Sequence, residues 1–398
     1  MNDQENQEVK DQIRKQFEEE NVLFVSTISD YIEKISSLKS KMNKKETILY
    51  RGENGFFQKS IPGIYRNEKA LENEPALIND ARRLLPKLFS AEGPLISKLA
   101  FLQHHGLPTR TLDLTGNALV ALFFATQKKK RSTRKDYTRI GTIPLFSATS
   151  VETDVPFSGK DVWADYTQNN KQKPSLKSTE SDTVAVISAL TTIPFLTRVK
   201  LISGFANTEE IKKLQFDQIG MGIRSSKRQM VCKQFNKFYS LYQNLEENQI
   251  KDIKKSFNHS SAANELIREI RRYTPNFEGG LIDPLDLFRD VVVRLDQTDP
   301  RIARQDGYLL LVGESIGAFN REYNIKGKDN DYGRICEEMM SRINKNRLRQ
   351  KNGKATRFVI LDDNAKNIRK ELSTLGFSSA TVYPDTDHVV QDIISYHM

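Results

Sequence analysis

Residues 99–126 contain a high density of side chains that can do chemistry. They read LAFLQHHGLPTRTLDLTGNALVALFFAT, so two adjacent histidines, an arginine, an aspartate and three threonines stand directly before an apolar helix pattern. Histidine acts as an acid, a base or an orienting group near neutral pH. Polar groups beside a helix N-terminus can contribute to an anion-binding site. We therefore expect one wall of a ligand site in this stretch.

The polar residues that follow the histidines divide between two faces of a predicted strand over residues 109–114. Side chains alternate along a strand, so Thr109, Asp113 and Thr115 share one face while Arg110 points to the other. The three residues on the shared face could line one pocket wall together. Alternatively, Asp113 fixes the following turn and Thr115 caps the next helix.

His104 and His105 end a predicted helix ahead of Gly106. Adjacent helical residues point about 100° apart, so at most one of the two imidazoles enters a given site. The helix dipole favours the charged form of an imidazole at this end. Alternatively, one histidine packs under the Leu-Pro turn and the other faces solvent.

A second candidate follows a short β-type run at residues 47–50 (TILY). Arg51 presents a planar fork of donors, which is suited to bidentate recognition of a phosphate or a carboxylate. The alternative role for Arg51 is a structural ion pair with a carboxylate such as Asp113. Gly52 would let the chain turn sharply after the arginine.

A third candidate, Gln305, lies in a loop that leads into a predicted strand over residues 308–312. Its amide can orient a ribose hydroxyl or an attacking group. It cannot stabilise a cation as a carboxylate would. The alternative is a hydrogen bond within the loop.

Hydrophobic spacing and turn residues predict the elements that position these side chains, and together they predict an α+β fold. Thr115 or Gly116 is expected to cap the helix that follows the threonine-rich strand. The predicted helices cover residues 7–43, 75–89, 94–104, 117–127, 365–375 and 389–396. The predicted strands cover residues 47–50, 109–114, 140–146, 183–190, 290–295, 308–312, 358–361 and 380–383. The predicted irregular segments are a polar loop over 150–180, a turn over 297–307 and a flexible basic segment over 326–356.

These elements predict three segments along the chain. Residues 1–45 form an N-terminal helical segment. Residues 46–325 form the core, with a helical insertion at about 208–273. Residues 326–398 add a strand-helix-strand-helix segment that completes the core.

Composition narrows the class of protein. The chain has 398 residues, a net charge of +10 and two cysteines far apart in sequence, and its mean hydropathy is −0.56. We expect a soluble, reduced, cytoplasmic protein without a membrane span or signal peptide. The positive charge favours anionic partners. Two basic runs, residues 128–135 and 345–354, are either solvated surface or a nucleic-acid contact.

Four sequence blocks resemble the FRG-domain family, which is named for its Phe/Tyr-Arg-Gly motif. The blocks are ILYRGE at 48–53, the stretch at 99–126, PRIARQDGYLLLVG at 300–313 and SSATVYPDTDHVVQDI at 378–393. Asp299 stands where the family often has asparagine. The resemblance favours His104 over His105, because His104 follows Gln103 as the family's histidine follows its glutamine. The blocks span residues 48–393 apart from the helical stretch.

The order of these motifs is similar to the layout of ADP-ribosyltransferases. In that layout a first-strand arginine holds NAD, a Ser/Thr motif supports the pocket and a late glutamate promotes departure of nicotinamide. Tyr50-Arg51-Gly52 and Leu114-Thr115 correspond to the first two parts. Gln305 departs from the third, which leaves either another acid (Glu53, Asp113 or Asp306) or a binder without catalysis. The comparison is an analogy between layouts.

This resemblance implies a mixed or antiparallel sheet and an NAD-using transferase or glycohydrolase of the toxin or phage-defence type. The alternatives are a non-catalytic module that binds nucleotide or nucleic acid, and a scaffold whose polar block only organises the fold. A protein acceptor is a further expected partner, and NAD is expected as a substrate. No metal site is predicted, because five histidines occur without paired ligand spacing. The expected catalytic residues are Arg51, His104, Asp113 and Gln305, and the expected nucleotide-binding residues are Tyr50, Arg51, Gly52, Thr109, Arg110 and Thr115.

Overall fold

A computed structural model describes most of the chain. The described residues are 3–42, 46–55, 60–127, 140–149, 163–165, 180–206, 245–278, 282–294, 300–315, 331–383, 385–386, 389–390 and 394. Among them, no helix combines the length and the apolar character that a membrane crossing requires.

Eight strands within the described ranges form one mixed sheet, which confirms the predicted α+β class. Their order across the sheet is β1-β8-β4-β2-β3-β7-β6-β5. The outer pairs β1·β8 and β6·β5 are parallel, and the inner pairs are antiparallel. The strands are β1 (Glu20–Val25), β2 (Glu46–Tyr50), β3 (Thr111–Thr115), β4 (Ile140–Thr149), β5 (Trp163–Asp165), β6 (Asp290–Arg294), β7 (Gly307–Val312) and β8 (Ala355–Leu361).

Helices cover both faces of the sheet. In the described part of the chain they are α1 (Asp3–Gln16), α2 (Ile28–Lys39), α3 (Glu68–Glu72), α4 (Glu74–Leu84), α5 (Pro86–Ser90), α6 (Leu95–His104), α7 (Ala118–Ala125), α8 (Glu180–Leu190), α9 (Phe195–Ala206), α10 (Glu247–Asn258), α11 (Ser261–Arg271), α12 (Pro300–Gln305), α13 (Asp331–Lys345), α14 (Asp362–Thr374) and α15 (Ser379–Val382). Short 3₁₀ turns occur at Gly63–Arg66 and Pro284–Phe288.

Strand alternation divides the core into layers. Ile48 and Tyr50 of β2 pack with α2, α7 and α14 on one face, whereas Leu49 packs with α13 on the other. On β7, Leu309 and Leu311 face α6 and α8. Helices α8 to α11 form a further apolar cluster of their own. Apolar side chains therefore pack against both faces of the sheet.

Gly52 allows the end of β2 to approach α7. A Cβ at this position would lie 2.6 Å from the Cβ of Phe124 and would overlap the Ala121 carbonyl oxygen. The positive-φ glycines lie elsewhere, so this glycine serves close approach of two backbones and not the sharp turn that the sequence suggested.

Replacing Gly52 with alanine should therefore destabilise the fold. The overlap is with backbone atoms, which cannot rotate away, so we expect a loss of about 2 kcal/mol, in the range of other overpacking substitutions. Urea unfolding followed by circular dichroism measures this loss. An unchanged midpoint would contradict the close approach.

Several predicted elements differ from the structure. Residues 183–190 belong to helix α8 and not to a strand, because a short, fully buried apolar run has no periodicity that separates the two. The predicted helix over 7–43 is interrupted by β1, which pairs in parallel with β8. Residues 380–383 were predicted as a strand, but Ser379–Val382 form α15. The predicted turn over 297–307 contains α12, and the predicted flexible basic segment contains α13.

Other predictions are confirmed in part. Strands β2, β3, β4, β6, β7 and β8 and helices α4, α6, α7 and α14 all lie where the sequence indicates, with shifts of a few residues at their ends. Helices α10 and α11 fall within the predicted helical insertion, although residues 207–244 lie outside the described residues. The predicted loop over 150–180 and the predicted last helix also lie mostly outside them. The division into three segments stays a prediction.

Candidate functional site

A cleft of about 500 Å³ opens where the ends of β2 and β3 meet α6, α7 and α12. It gathers seven of the nine residues predicted for the site, which come from four separate stretches of sequence. These are Tyr50, Arg51, Gly52, His104, Asp113, Thr115 and Gln305, whereas Thr109 and Arg110 do not line it.

The Arg51 guanidinium is held in a defined orientation at the cleft. Its Nε donates to Glu53 Oε1 at 3.0 Å, and its Nη1 donates to the main-chain carbonyl of Asp113 at 2.8 Å. Its Nη2 makes no hydrogen bond within the described residues. The side chain is 14% exposed. Arg51 therefore lines the cleft with a fixed guanidinium, and its ion-pair partner is Glu53 rather than the Asp113 carboxylate.

Glu53 anchors Arg51 from below the cleft. Its carboxylate is buried and also accepts a hydrogen bond from Ser60 Oγ at 2.8 Å. The other oxygen, Oε2, lies 3.9 Å from Nη1 of Arg357, which in turn pairs with Glu20 on β1. Glu53 is absent from the cleft lining, so its carboxylate serves the arginines and not a ligand.

Asp113 is the acid that faces the cleft. It is the exposed position in the middle of β3, where its neighbours are buried. Its carboxylate makes no hydrogen bond or ion pair with the described residues, so it does not fix the following turn. Burial raises the pKa of Tyr383, and the charges of Asp113 and Asp385 add to this rise while Arg301 opposes it. Asp113 and Tyr383 both line the cleft.

The histidine pair separates as the helix geometry predicts. His104 lines the cleft, and its carbonyl accepts a hydrogen bond from Nη1 of Arg301 at 3.1 Å. His105 is exposed, and its ring packs against Phe101 with centroids 4.4 Å apart. Of the two histidines, only His104 lines the cleft.

Thr115 and Gln305 meet where β3 ends beside α12. Thr115 Oγ1 donates to the Gln305 carbonyl and accepts from the Asn117 amide at 3.0 Å. Asn117, and not Thr115 or Gly116, caps α7 with its side-chain oxygen. The Gly116 amide donates to the carbonyl of Asp306, whose φ of 43° lies in the left-handed region. These bonds place α12 against the end of β3.

Tyr50 lines the cleft and belongs to the apolar cluster beside it. It is buried between α2 and α7, and burial raises the pKa of its hydroxyl.

Thr109 lies just before β3, where its Oγ1 donates to Gln103 Oε1 at 3.0 Å and contacts Thr111 Oγ1 at 2.7 Å. Thr109 therefore orients Gln103, which does line the cleft.

Residues 46–134 match the family model of the FRG domain. The chain contains an FRG domain. Neither a curated protein nor a solved structure gives a significant match to the chain.

The FRG domain match covers one side of the cleft. It includes β2, β3 and the helices from α3 to α7, and so it contains Arg51, His104 and Asp113. The opposite side, formed by α12 and Tyr383, comes from residues beyond the match. The two sides meet because β3 pairs with β7, which directly follows α12.

Arg110 of the FRG domain belongs to the core and not to the cleft. It is fully buried and binds Glu74 through two hydrogen bonds of 2.7 Å. Its Nη2 also donates to Glu314, and Arg198 bonds both of these carboxylates. Burial alone would raise the pKa of Glu314, but Arg110 and Arg198 outweigh it and lower that pKa to about 2. Arg110 thus joins a buried four-charge network.

Sequence reasoning missed two important lining residues, Arg301 and Tyr383. Both stand in blocks that resemble the FRG-domain family, RIARQ and VYPD, but neither was assigned a role. The Arg301 guanidinium lies 5.0 Å from the centre of the Tyr383 ring. A cation over an aromatic ring is a pairing that long-range folding creates, so no local spacing indicates it. Asn54, Gln103, Leu114, Phe124 and Gln127 complete the lining.

The basic runs offer limited support for a nucleic-acid interface. Residues 128–135 lie outside the described residues. In the second run, Arg347 is buried and bonds Glu20 and main-chain carbonyls, and Arg349 bonds the carbonyls of Asn344 and Gly353. These two arginines are used within the fold. Among the described residues, no group of three or more His, Cys, Asp or Glu is arranged to hold a metal ion.

Proposed function

We propose that the cleft binds NAD and that the protein breaks the bond between nicotinamide and ribose, as an ADP-ribosyltransferase or an NAD glycohydrolase. The observation that carries this proposal is the meeting of Arg51, Asp113 and Thr115 with His104 and Gln305 in one cleft. Its volume of about 500 Å³ lies in the range of small-molecule sites. An NAD-consuming activity suits an effector of the toxin or phage-defence type.

Arg51 supplies the anion contact in this proposal. Arg51 lines the cleft, and Glu53 and the Asp113 carbonyl hold its Nε and Nη1 but leave Nη2 without a hydrogen bond among the described residues. A phosphate oxygen of NAD would complete the arginine's donor set with a charge-assisted hydrogen bond. The preset orientation lowers the entropy cost of binding.

Asp113 supplies the acid–base group. Of the three acids considered from the sequence, Glu53 is buried beneath Arg51, Asp306 lies outside the lining, and Asp113 lines the cleft. In the proposed step, an oxygen of water or of a protein acceptor forms a bond to the ribose carbon. The bond to nicotinamide breaks, and its electron pair neutralises the ring nitrogen. The proton of the attacking group passes to the Asp113 carboxylate.

Nicotinamide release tests the proposal. Purified protein is incubated with NAD, and free nicotinamide is measured by chromatography. We expect release by the wild type, and a fall of about 100-fold or more in kcat for Asp113→Asn with little change in KM, because general acid–base groups typically contribute 10²–10⁴-fold.

The matched control is Asp306→Asn. Asparagine tolerates the left-handed backbone at this position, and the carboxylate that it replaces lies outside the cleft lining. We expect this variant to retain wild-type release. Absence of release from the wild type at any NAD concentration would contradict the proposed reaction.

A second candidate function is a nucleotide-binding module without turnover. The observation that favours it is Gln305, which stands at the position where the transferase layout has a glutamate. Binding of NAD that depends on Arg51 but is not followed by nicotinamide release would support this candidate. Salt-dependent binding of DNA or RNA that survives Arg51→Ala would instead favour a nucleic-acid module.

A further inference from the structure

One side of the cleft is held in place by a single short helix. Two side chains of α12, Arg304 and Gln305, donate to the same C-terminal segment. Nη1 of Arg304 donates to the carbonyls of Ala380 and Thr381 at 3.2 and 3.5 Å. Gln305 Nε2 donates to the Val382 carbonyl at 3.1 Å. We call Arg301, Arg304 and Gln305 the α12 clamp, and residues 379–383 the C-terminal wall.

Arg301, the third residue of the α12 clamp, contacts Tyr383 of the wall and Asp385, which follows the wall. Its Nη2 lies 3.4 Å from Oδ2 of Asp385, and its guanidinium stacks on the Tyr383 ring. The ring also packs against Phe124 of α7 with centroids 5.7 Å apart. Tyr383 is thus fixed between α7 and α12, where it lines the cleft.

The contacts of Gln305 define its role more sharply than its position in sequence does. The side-chain amide of Gln305 donates to the carbonyl of Val382, which directly precedes Tyr383. The main-chain carbonyl of Gln305 accepts a hydrogen bond from Thr115 Oγ1 on β3. Gln305 therefore connects the strand that carries Asp113 with the wall that carries Tyr383.

We infer that Gln305 is a positioning residue, which holds the C-terminal wall so that Tyr383 can contact the bound nucleotide. This inference rests on the proposed function and deepens it. A glutamine suits this position because its amide nitrogen donates to the Val382 carbonyl. A carboxylate is an acceptor at neutral pH and would face that carbonyl oxygen without a proton.

The substitution Gln305→Glu distinguishes a positioning role for Gln305 from a chemical role in the reaction. It restores the acid of the transferase layout, so a chemical role for this position would make nicotinamide release faster. A positioning role makes NAD binding about fivefold weaker, the scale of one lost hydrogen bond. Gln305→Met, which has neither donor nor charge, should weaken binding to a similar degree.

Hydrogen exchange of the full-length protein gives a readout that needs no ligand. The main-chain amides of Val382 and Tyr383 donate to the carbonyls of Ser378 and Ser379 at the start of α15, so their exchange reports on the wall. We expect both Gln305 variants to exchange these two amides about fivefold faster or more, with β3 and β7 unchanged. The matched control is Gln127→Met, which removes another lining amide whose contact is with the Phe123 carbonyl of the preceding helix α7, and which should leave the exchange of Val382 and Tyr383 unchanged.

Two results would overturn the inference. One is unchanged exchange at Val382 and Tyr383 in both Gln305 variants. The other is faster nicotinamide release by Gln305→Glu. A wild-type protein that binds NAD without releasing nicotinamide contradicts the proposed reaction alone, because faster exchange together with weaker NAD binding in the Gln305 variants still supports the positioning role.

Discussion

Arg51→Ala is expected to weaken NAD binding by tenfold to more than a hundredfold. The estimate follows from the geometry, in which Arg51 lines the cleft while Glu53 and the Asp113 carbonyl hold its Nε and Nη1. A hydrogen bond to a charged group contributes about 1.5–3 kcal/mol, which corresponds to this range in affinity. Isothermal titration calorimetry with NAD measures the change. Circular dichroism checks that the variant remains folded.

Arg51→Lys serves as the matched control, because Arg51→Ala also removes the ion-pair partner of the buried Glu53. The lysine keeps a positive charge beside that carboxylate and so limits the loss of stability. It lacks the planar fork, so most of the affinity should still be lost. NAD affinity that is unchanged in both variants would show that Arg51 does not bind the nucleotide.

Arg110→Met is expected to lower the free energy of unfolding strongly and to leave NAD affinity nearly unchanged, the opposite of the Arg51 variants. Arg110 is fully buried and bonds Glu74 and Glu314, so its removal leaves two buried carboxylates with Arg198 alone. Breaking a buried ion pair by removing one partner costs about 3–5 kcal/mol. Urea unfolding measures this loss. Any protein that remains folded should bind NAD with nearly wild-type affinity, because Arg110 does not line the cleft.

The pH dependence of stability gives a second readout of the same network. The pKa of Glu314 falls from 4.5 to about 2 in the folded protein. Its contribution to stability is therefore present above pH 4.5 and is lost as the pH falls toward 2. In Arg110→Met the folded-state pKa is less depressed, so this acid-dependent loss should be smaller.

Arg83→Met is the control for the stability measurement. Arg83 forms an exposed pair with Asp80, and such pairs contribute little. We expect no measurable change in its unfolding midpoint. A stability of Arg110→Met equal to that of this control would contradict the buried network.

Local patterns were sufficient to predict much of the cleft. Strand alternation identified Asp113 as a cleft residue and separated it from Arg110, because a strand in a packed sheet must send successive side chains to opposite faces. The short β-type run before Arg51 placed that arginine at a strand end. Helix geometry admitted at most one of the two histidines, and His104 is the one that lines the cleft.

The remaining features depend on contacts that sequence spacing does not encode. Residues 183–190 are buried on all sides, so α8 lacks the polar face that distinguishes a helix from a strand. β1 pairs in parallel with β8, more than 300 residues later in the chain, so no local pattern indicates this strand. Tyr383 and Arg301 become neighbours because α12 packs against the C-terminal wall. Thr109 was placed on the cleft face, but it precedes β3 and bonds Gln103 instead.

A crystal structure of the protein grown with ADP-ribose tests the central claim most directly. That claim is that the cleft between β2, β3 and α12 is a nucleotide site anchored by Arg51. We predict a phosphate oxygen within hydrogen-bond distance of Arg51 Nη2 and the terminal ribose beside Asp113. ADP-ribose bound elsewhere on the protein, or bound in the cleft without a contact to Arg51, would contradict the account.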